Sequence, residues 1–144
     1  MKKGIFLTLT GLIFMAMTAS AQAVQHPEKG SAERSALLDT LRPPVEKELK
    51  QSIVFVINQI NVQGQWAFVD GRLRTSDGKV PNWKGTPYAQ AAGYGAQSDG
   101  ISALLKRSGN SWHIVTKAIG CTDVCYVDWW KKYKAPKAIF PYTE

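Results

Sequence analysis

Apolar positions along this chain follow different rhythms, and each rhythm predicts a different element. Leu37, Leu41, Val45 and Leu49 recur every four residues, with Leu38 widening the stripe, which is the pattern of an amphipathic helix. Ser31 stands ahead of it as an N-cap, and Glu33 falls in the first turn, where the exposed amides and the helix dipole favour a carboxylate. Pro43 and Pro44 interrupt the stripe, and the residue before a proline is pushed out of the helical region. The expectation is a helix over 32–41, a kink or break, and a further turn or two over 44–50 with Pro44 near its start.

Beyond the helix the period changes to two. From 53 to 62 the chain is rich in β-branched residues, with Ile53, Phe55 and Ile57 on one face and Val54, Val56, Ile60 and Val62 on the other. A strand apolar on both sides is expected at the centre of a sheet. Gln63-Gly64-Gln65 supplies a turn, and a second strand starts at Trp66 and runs toward Leu73, completing a hairpin. Ile101, Ala103 and Leu105 alternate in a third strand, Ser108-Gly109-Asn110-Ser111 turns the chain, and Trp112 opens a return strand to Ile119. Between the hairpins, 75–100 is a long glycine- and proline-containing segment with room for one helical turn at 88–92, of the kind that is functional or mobile in compact domains. A final helix is expected within 126–134, before Pro136, and Ala138-Ile139-Phe140-Pro141-Tyr142 is too apolar to be a free tail.

These elements describe an α+β domain, an antiparallel sheet of about four strands with helices on one face. The expected form is cystatin-like or NTF2-like, a curled sheet around the N-terminal helix, with a short C-terminal helix.

A last apolar run stands apart. Met1-Lys2-Lys3 precedes a hydrophobic stretch from Ile5 to Met17 and then Ala19-Ser20-Ala21-Gln22-Ala23, the layout of a secretory signal peptide. The run is shorter than the roughly 18 to 20 residues that span a bilayer as a helix. The expected division is a signal peptide over 1–23, a flexible lead-in over 24–30 and a single domain over 31–144. Cleavage is expected after Ala23, with an overlapping small-residue triplet that fits cleavage after Ala21. No cysteine follows either site, which argues against a lipoprotein anchor, and no membrane span is expected after cleavage. The product is placed in the periplasm or the medium, as a monomer.

Export changes how charge and cysteines are read. Of the formal net charge of +7, two units sit on Lys2 and Lys3, and the remaining excess is concentrated late, in Lys131, Lys132, Lys134 and Lys137. Outside the cytoplasm such a face suggests an anionic or carbohydrate envelope ligand or an acidic protein partner, rather than nucleic acid. Cys121 and Cys125, with three residues between them, are expected to form a disulfide in an oxidising compartment. Closing so short a loop removes only about 2 kcal/mol of unfolded-state entropy. The spacing is not that of a Cys-x-x-Cys redox pair.

Three stretches are similar to a group of small exported bacterial proteins to which no activity is attached. They are 33–39 with Leu41-Arg42-Pro43, then Gly64-Gln65-Trp66-Ala67-Phe68-Val69, and then Thr122-Asp123 with Trp129, Tyr133 and Ala135-Pro136. The resemblance covers nearly the whole mature chain. It implies that the cysteine pair is an elaboration of this protein, since relatives often lack it, and it implies no chemistry.

Catalytic groups are scarce. His26 lies in the lead-in and His113 in a strand, which does not make a metal site with bonded cysteines, and no cofactor is expected. A triad would need His113 with Asp123 or Asp128 and Ser98 or Ser102, but no Gly-x-Ser-x-Gly turn is present. Asp70, Asp77 and Asp99 offer carboxylates without a reason to pair two of them. His113 and Asp99 are the acid/base candidates if the protein is a small periplasmic hydrolase or isomerase. Aromatics are more plentiful, with five tryptophans and five tyrosines. Trp83, Tyr88 and Tyr94 fall in the long segment, and Trp130 sits beside Lys131 and Lys132. Trp129 and Tyr133 share a helix face with Tyr126 one turn earlier, the pattern of core packing, and at least one of Trp129 and Trp130 must point elsewhere. The leading expectation is a non-enzymatic binding protein of the inhibitor, immunity or ligand-binding type, contacting its partner through 75–100 and Trp130/Lys131/Lys132. A structural or stress-related envelope protein without a discrete ligand is the third reading.

Overall fold

A computed structural model of the chain describes residues 22–144. The expected signal peptide lies outside the described residues except for Gln22 and Ala23. Helix α1 (Ala32–Leu49) is capped by Ser31, whose hydroxyl accepts from the Arg34 amide at 3.3 Å. It does not break. Pro43 and Pro44 lie inside one continuous helix and remove two amide donors, at a cost of about 3 kcal/mol each. Leu37, Leu41, Val45 and Leu49 are all fully buried, which at about 1.5–3 kcal/mol apiece matches or exceeds the cost of the two prolines. The sequence-based expectation of two helical pieces fails because tertiary burial overrides local propensity.

Strands β1 (Val54–Gln63), β2 (Trp66–Arg74), β3 (Gly100–Ser108) and β4 (Ser111–Ile119) form one antiparallel sheet in chain order. The architecture is α+β: a four-stranded antiparallel sheet, an N-terminal helix and a short C-terminal helix, α3 (Trp129–Tyr133). Helix α2 (Ala89–Gly93) interrupts the long segment at the expected place. Both hairpins close through two-residue turns, and Gly109 supplies the positive φ of +59° that such a turn requires.

Strand β1 is an edge strand and not a central one. Its apolar residues do not divide between two faces, because a bulge between Ile57 and Gln59 shifts the register and returns Ile60 and Val62 to the side of Phe55 and Ile57. Val54 and Val56 are left about half exposed. The close approach at the bulge needs Gly71, since a Cβ there would lie 2.6 Å from the Val56 carbonyl oxygen.

The sheet is covered on both faces, where helices on one face were expected. On one face α1 packs over Ile60, Ala67, Val69, Ala103, Leu105 and Trp112, and farther along over Leu73, Ile101 and Ile119. On the other face Phe68 and Leu104 meet Trp129, Ala135, Ile139 and Phe140, delivered by α3 and a 3-10 turn at Lys137–Ile139. The apolar C-terminal segment therefore docks, as its composition predicts. Helix α3 is shorter than the expected 126–134, because residues 121–128 are used in the disulfide turn and the turns after it.

Asn61 joins these layers. Buried on β1, it donates from Nδ2 to the Ile139 carbonyl at 2.7 Å and faces His26 Nδ1 through Oδ1 at 2.9 Å. With the amide nitrogen donating, Oδ1 is the acceptor and His26 Nδ1 carries the proton. The 24–30 segment, expected as a flexible lead-in, is thus held against the sheet edge, with Gln25 and Val62 exchanging two backbone hydrogen bonds.

Candidate functional site

The C-terminal lobe carries the most distinctive surface. In α3, Trp129 turns inward and is buried against Tyr133 and Tyr126, with ring centroids 6.5 and 6.3 Å away. One residue on, Trp130 is turned by the helical period to the edge of that core, against which it still packs, and is half-buried, its Nε1 donating to the Glu144 carbonyl at 3.0 Å. Lys131 Nζ lies 5.2 Å from the Trp130 ring centroid, Lys137 Nζ lies 4.7 Å from it, and Lys132 Nζ lies 5.4 Å from the Tyr133 ring. Lys134 adds a fourth charge at the left-handed position that ends α3. Among the described residues no carboxylate lies within ion-pair distance of any of these four lysines. Lys131, Lys132 and Lys137 have aromatic faces as neighbours, which attract a cation without neutralising it. Lys137 belongs to the late basic excess of the sequence but is not legible there as a neighbour of Trp130. It arrives from the turn after Pro136, so only the return of the chain over α3 reveals it.

The aromatics of the long segment are elsewhere. Trp83 and Tyr88 meet edge to face at 5.9 Å and pack against the Val45, Leu49 and Leu73 cluster on the α1 face. The Tyr88 hydroxyl donates to the Glu48 carboxylate, which also pairs with Lys117 of β4. Burial raises the Glu48 pKa, but the hydrogen bonds from Lys117 and Tyr88 and the charge of Lys117 outweigh it and hold the carboxyl below its ordinary range. Burial, reinforced by the Glu48 carboxylate, pushes the Tyr88 hydroxyl well up. Tyr94 is 81% exposed beyond this clasp. The sheet therefore separates Trp83 and Tyr88 from Trp130, Lys131 and Lys132, and the two expected halves of one contact surface lie on opposite faces.

His113 and Asp99 are not brought together either. His113 is exposed near the β3–β4 turn, opposite Lys106, in a shallow depression whose lining includes Arg107 and Ser108 and contains no carboxylate. Asp99 precedes β3 at its far end and is paired with Arg74. Cys121 and Cys125 form the expected disulfide, with Cα atoms 6.1 Å apart, and Ser98 Oγ donates to the Cys121 carbonyl at 2.8 Å. Beside this turn a notch of about 180 Å³ is lined by Asp70, Ser102, Asp123 and Tyr126 among others. Asp70 is satisfied there by Ser102 Oγ at 3.0 Å and Asn58 Nδ2 at 3.1 Å, and burial followed by the Asp70 charge raises the Tyr126 pKa. A larger recess of about 510 Å³ lies between the lead-in and the start of α1, where Arg107 pairs with Glu33.

Among the described residues no three His, Cys, Asp or Glu side chains are grouped as metal ligands. No described helix is long and apolar enough to cross a membrane.

No family model, curated protein or solved structure matches the chain.

Proposed function

We propose that this protein is exported and binds an acidic ligand of the cell envelope without transforming it. The ligand class is an anionic carbohydrate polymer or the acidic face of a protein, and the binding surface is Trp130 with Lys131, Lys132, Lys134 and Lys137. One observation carries this reading: Lys131, Lys132 and Lys137 gathered around two aromatic rings on one lobe, with Lys134 at the end of the same helix, and none of the four with an ion-pair partner among the described residues. Unneutralised charge of one sign draws in an oppositely charged partner and raises its encounter rate. A half-buried indole adds a flat apolar surface for the ligand to cover. The disulfide is compatible with an oxidising compartment, in line with the signal-peptide pattern over 1–23. The helix packed on the sheet supports a cystatin-like or NTF2-like form, with the protein acting as a monomer.

Affinity electrophoresis through gels containing an anionic polysaccharide tests the reading. The native protein is expected to be retarded, and the retardation should weaken as salt rises. Trp130→Ala combined with Lys131→Glu and Lys132→Glu should migrate freely while its circular dichroism is unchanged. Equal retardation of the folded triple variant would remove the surface assignment.

A further inference from the structure

The two overlapping cleavage triplets, Ala19-Ser20-Ala21 and Ala21-Gln22-Ala23, both place small residues at the positions a signal peptidase reads, and the second is the one expected from the sequence. The fold favours the first. The Gln22 carbonyl accepts a 2.6 Å hydrogen bond from Gln63 Nε2 beside the β1–β2 turn. The other end of that Gln63 amide, Oε1, is buried and has no partner. Cleavage after Ala23 would delete the Gln22 acceptor and leave the Gln63 side chain with neither bond. It would also place a charged ammonium on Val24, whose side chain packs against the Phe68 and Leu104 cluster. Cleavage after Ala21 preserves every one of these contacts and makes Gln22 the first residue.

We propose that the mature chain begins at Gln22 and that this residue is converted to pyroglutamate. This inference rests on the export reading above. The Gln22 side chain is exposed, and its amide makes no hydrogen bond among the described residues, so it can fold back on its own amine. The α-amino nitrogen attacks Cδ, a new N–C bond closes a five-membered lactam, and the side-chain nitrogen leaves as ammonia. No oxidant, reductant or co-reactant is consumed. Having both groups on one residue supplies the proximity the step needs. The main-chain carbonyl of Gln22 is untouched, so the bond from Gln63 survives the modification. The lactam nitrogen is neutral, which removes an ammonium from a recess that Gln22 shares with Arg107.

The test is the intact mass of the protein expressed with its own N-terminal segment in an exporting bacterial host and recovered from the envelope fraction. The expected species begins at residue 22, is one ammonia lighter than the unmodified chain, and resists Edman degradation until a pyroglutamyl aminopeptidase exposes Ala23. Gln22→Ala should give a chain that begins at residue 22 with no ammonia lost and a readable first cycle. A mature chain beginning at Val24 would overturn the inference while leaving export intact. A chain beginning at Gln22 with a free amine would overturn the modification, and an unprocessed chain would overturn the export reading on which both stand.

Discussion

Replacing Pro43 and Pro44 of α1 with alanine should stabilise the protein, and the size of the gain measures how the helix survives them. Each proline removes an amide that would otherwise bond to the carbonyl four residues earlier, on Asp39 and Thr40. Pro44 additionally constrains Pro43, and Pro43 constrains Arg42. A proline in a helix interior costs about 3 kcal/mol relative to alanine. Against this, each proline lowers the entropy of the unfolded chain by about 1 kcal/mol, an advantage that alanine forfeits. The net expectation is about 2 kcal/mol per site, or about 4 kcal/mol for Pro43→Ala/Pro44→Ala. The buried neighbours Leu41 and Val45 need not move, because alanine fits within the space proline already occupies. For a domain of this size each kcal/mol corresponds to about 4 °C, so the double variant should melt well over 5 °C higher. Urea unfolding followed by far-ultraviolet circular dichroism should show a higher midpoint with an unchanged slope. An unchanged or lowered midpoint would refute the continuous helix and restore the two-piece arrangement that the prolines imply.

Two further outcomes follow from side chains that bridge layers. Glu48 holds Tyr88 of the long segment and Lys117 of β4, and because its folded pKa is depressed, its contribution is fully present above the ordinary glutamate value of 4.5 and is lost as pH falls through the lower folded value. Glu48→Gln should therefore destabilise at pH 7 by about 1–2 kcal/mol, between exposed and buried pairs, and the gap to the native protein should narrow as the pH falls below 4.5 and through the lower folded value; a gap independent of pH would sink the ion-pair account. Asn61→Ala strands the Ile139 carbonyl and releases His26, so urea denaturation should report a loss of about 2–3 kcal/mol, and a loss below 0.5 kcal/mol would show that the C-terminal segment docks without this hydrogen bond.

What was legible in the sequence follows the reach of each physical signal. The four-residue apolar stripe, both hairpin turns, the cysteine pair and the docking of Ile139 and Phe140 are local patterns, and the fold uses them as read. The sheet position of β1 was not legible, because alternation cannot reveal a bulge. One extra residue near Asn58 reverses the phase, so Val54 and Val56 look like core on paper and lie at an exposed edge in space. The unbroken α1 was hidden for the opposite reason, since a strong local signal at Pro43-Pro44 is overruled by four leucine and valine side chains that only the sheet can bury. Asn61 carried no sequence signal at all, and its role depends on a partner 78 positions away.

The same distinction bears on the proposed binding surface. Aromatic residues in a long segment invite a functional reading, yet Trp83 and Tyr88 have their faces occupied by each other and by the α1 cluster, and the Tyr88 hydroxyl is spent on Glu48. Their energy goes into fixing the segment, which leaves little to offer a partner. Trp130 also packs partly against a core cluster, and differs in the charges around it. Its indole N–H is satisfied by the Glu144 carbonyl, while its ring is approached by Lys131 and Lys137, whose charges no carboxylate among the described residues neutralises. An acidic ligand placed there would gain the attraction of several ammonium groups without first breaking a protein ion pair, whereas a ligand at the Trp83 face would have to separate Glu48 from both Tyr88 and Lys117. The cost of entry, rather than the number of aromatic rings, is what favours the C-terminal lobe in the proposed binding function.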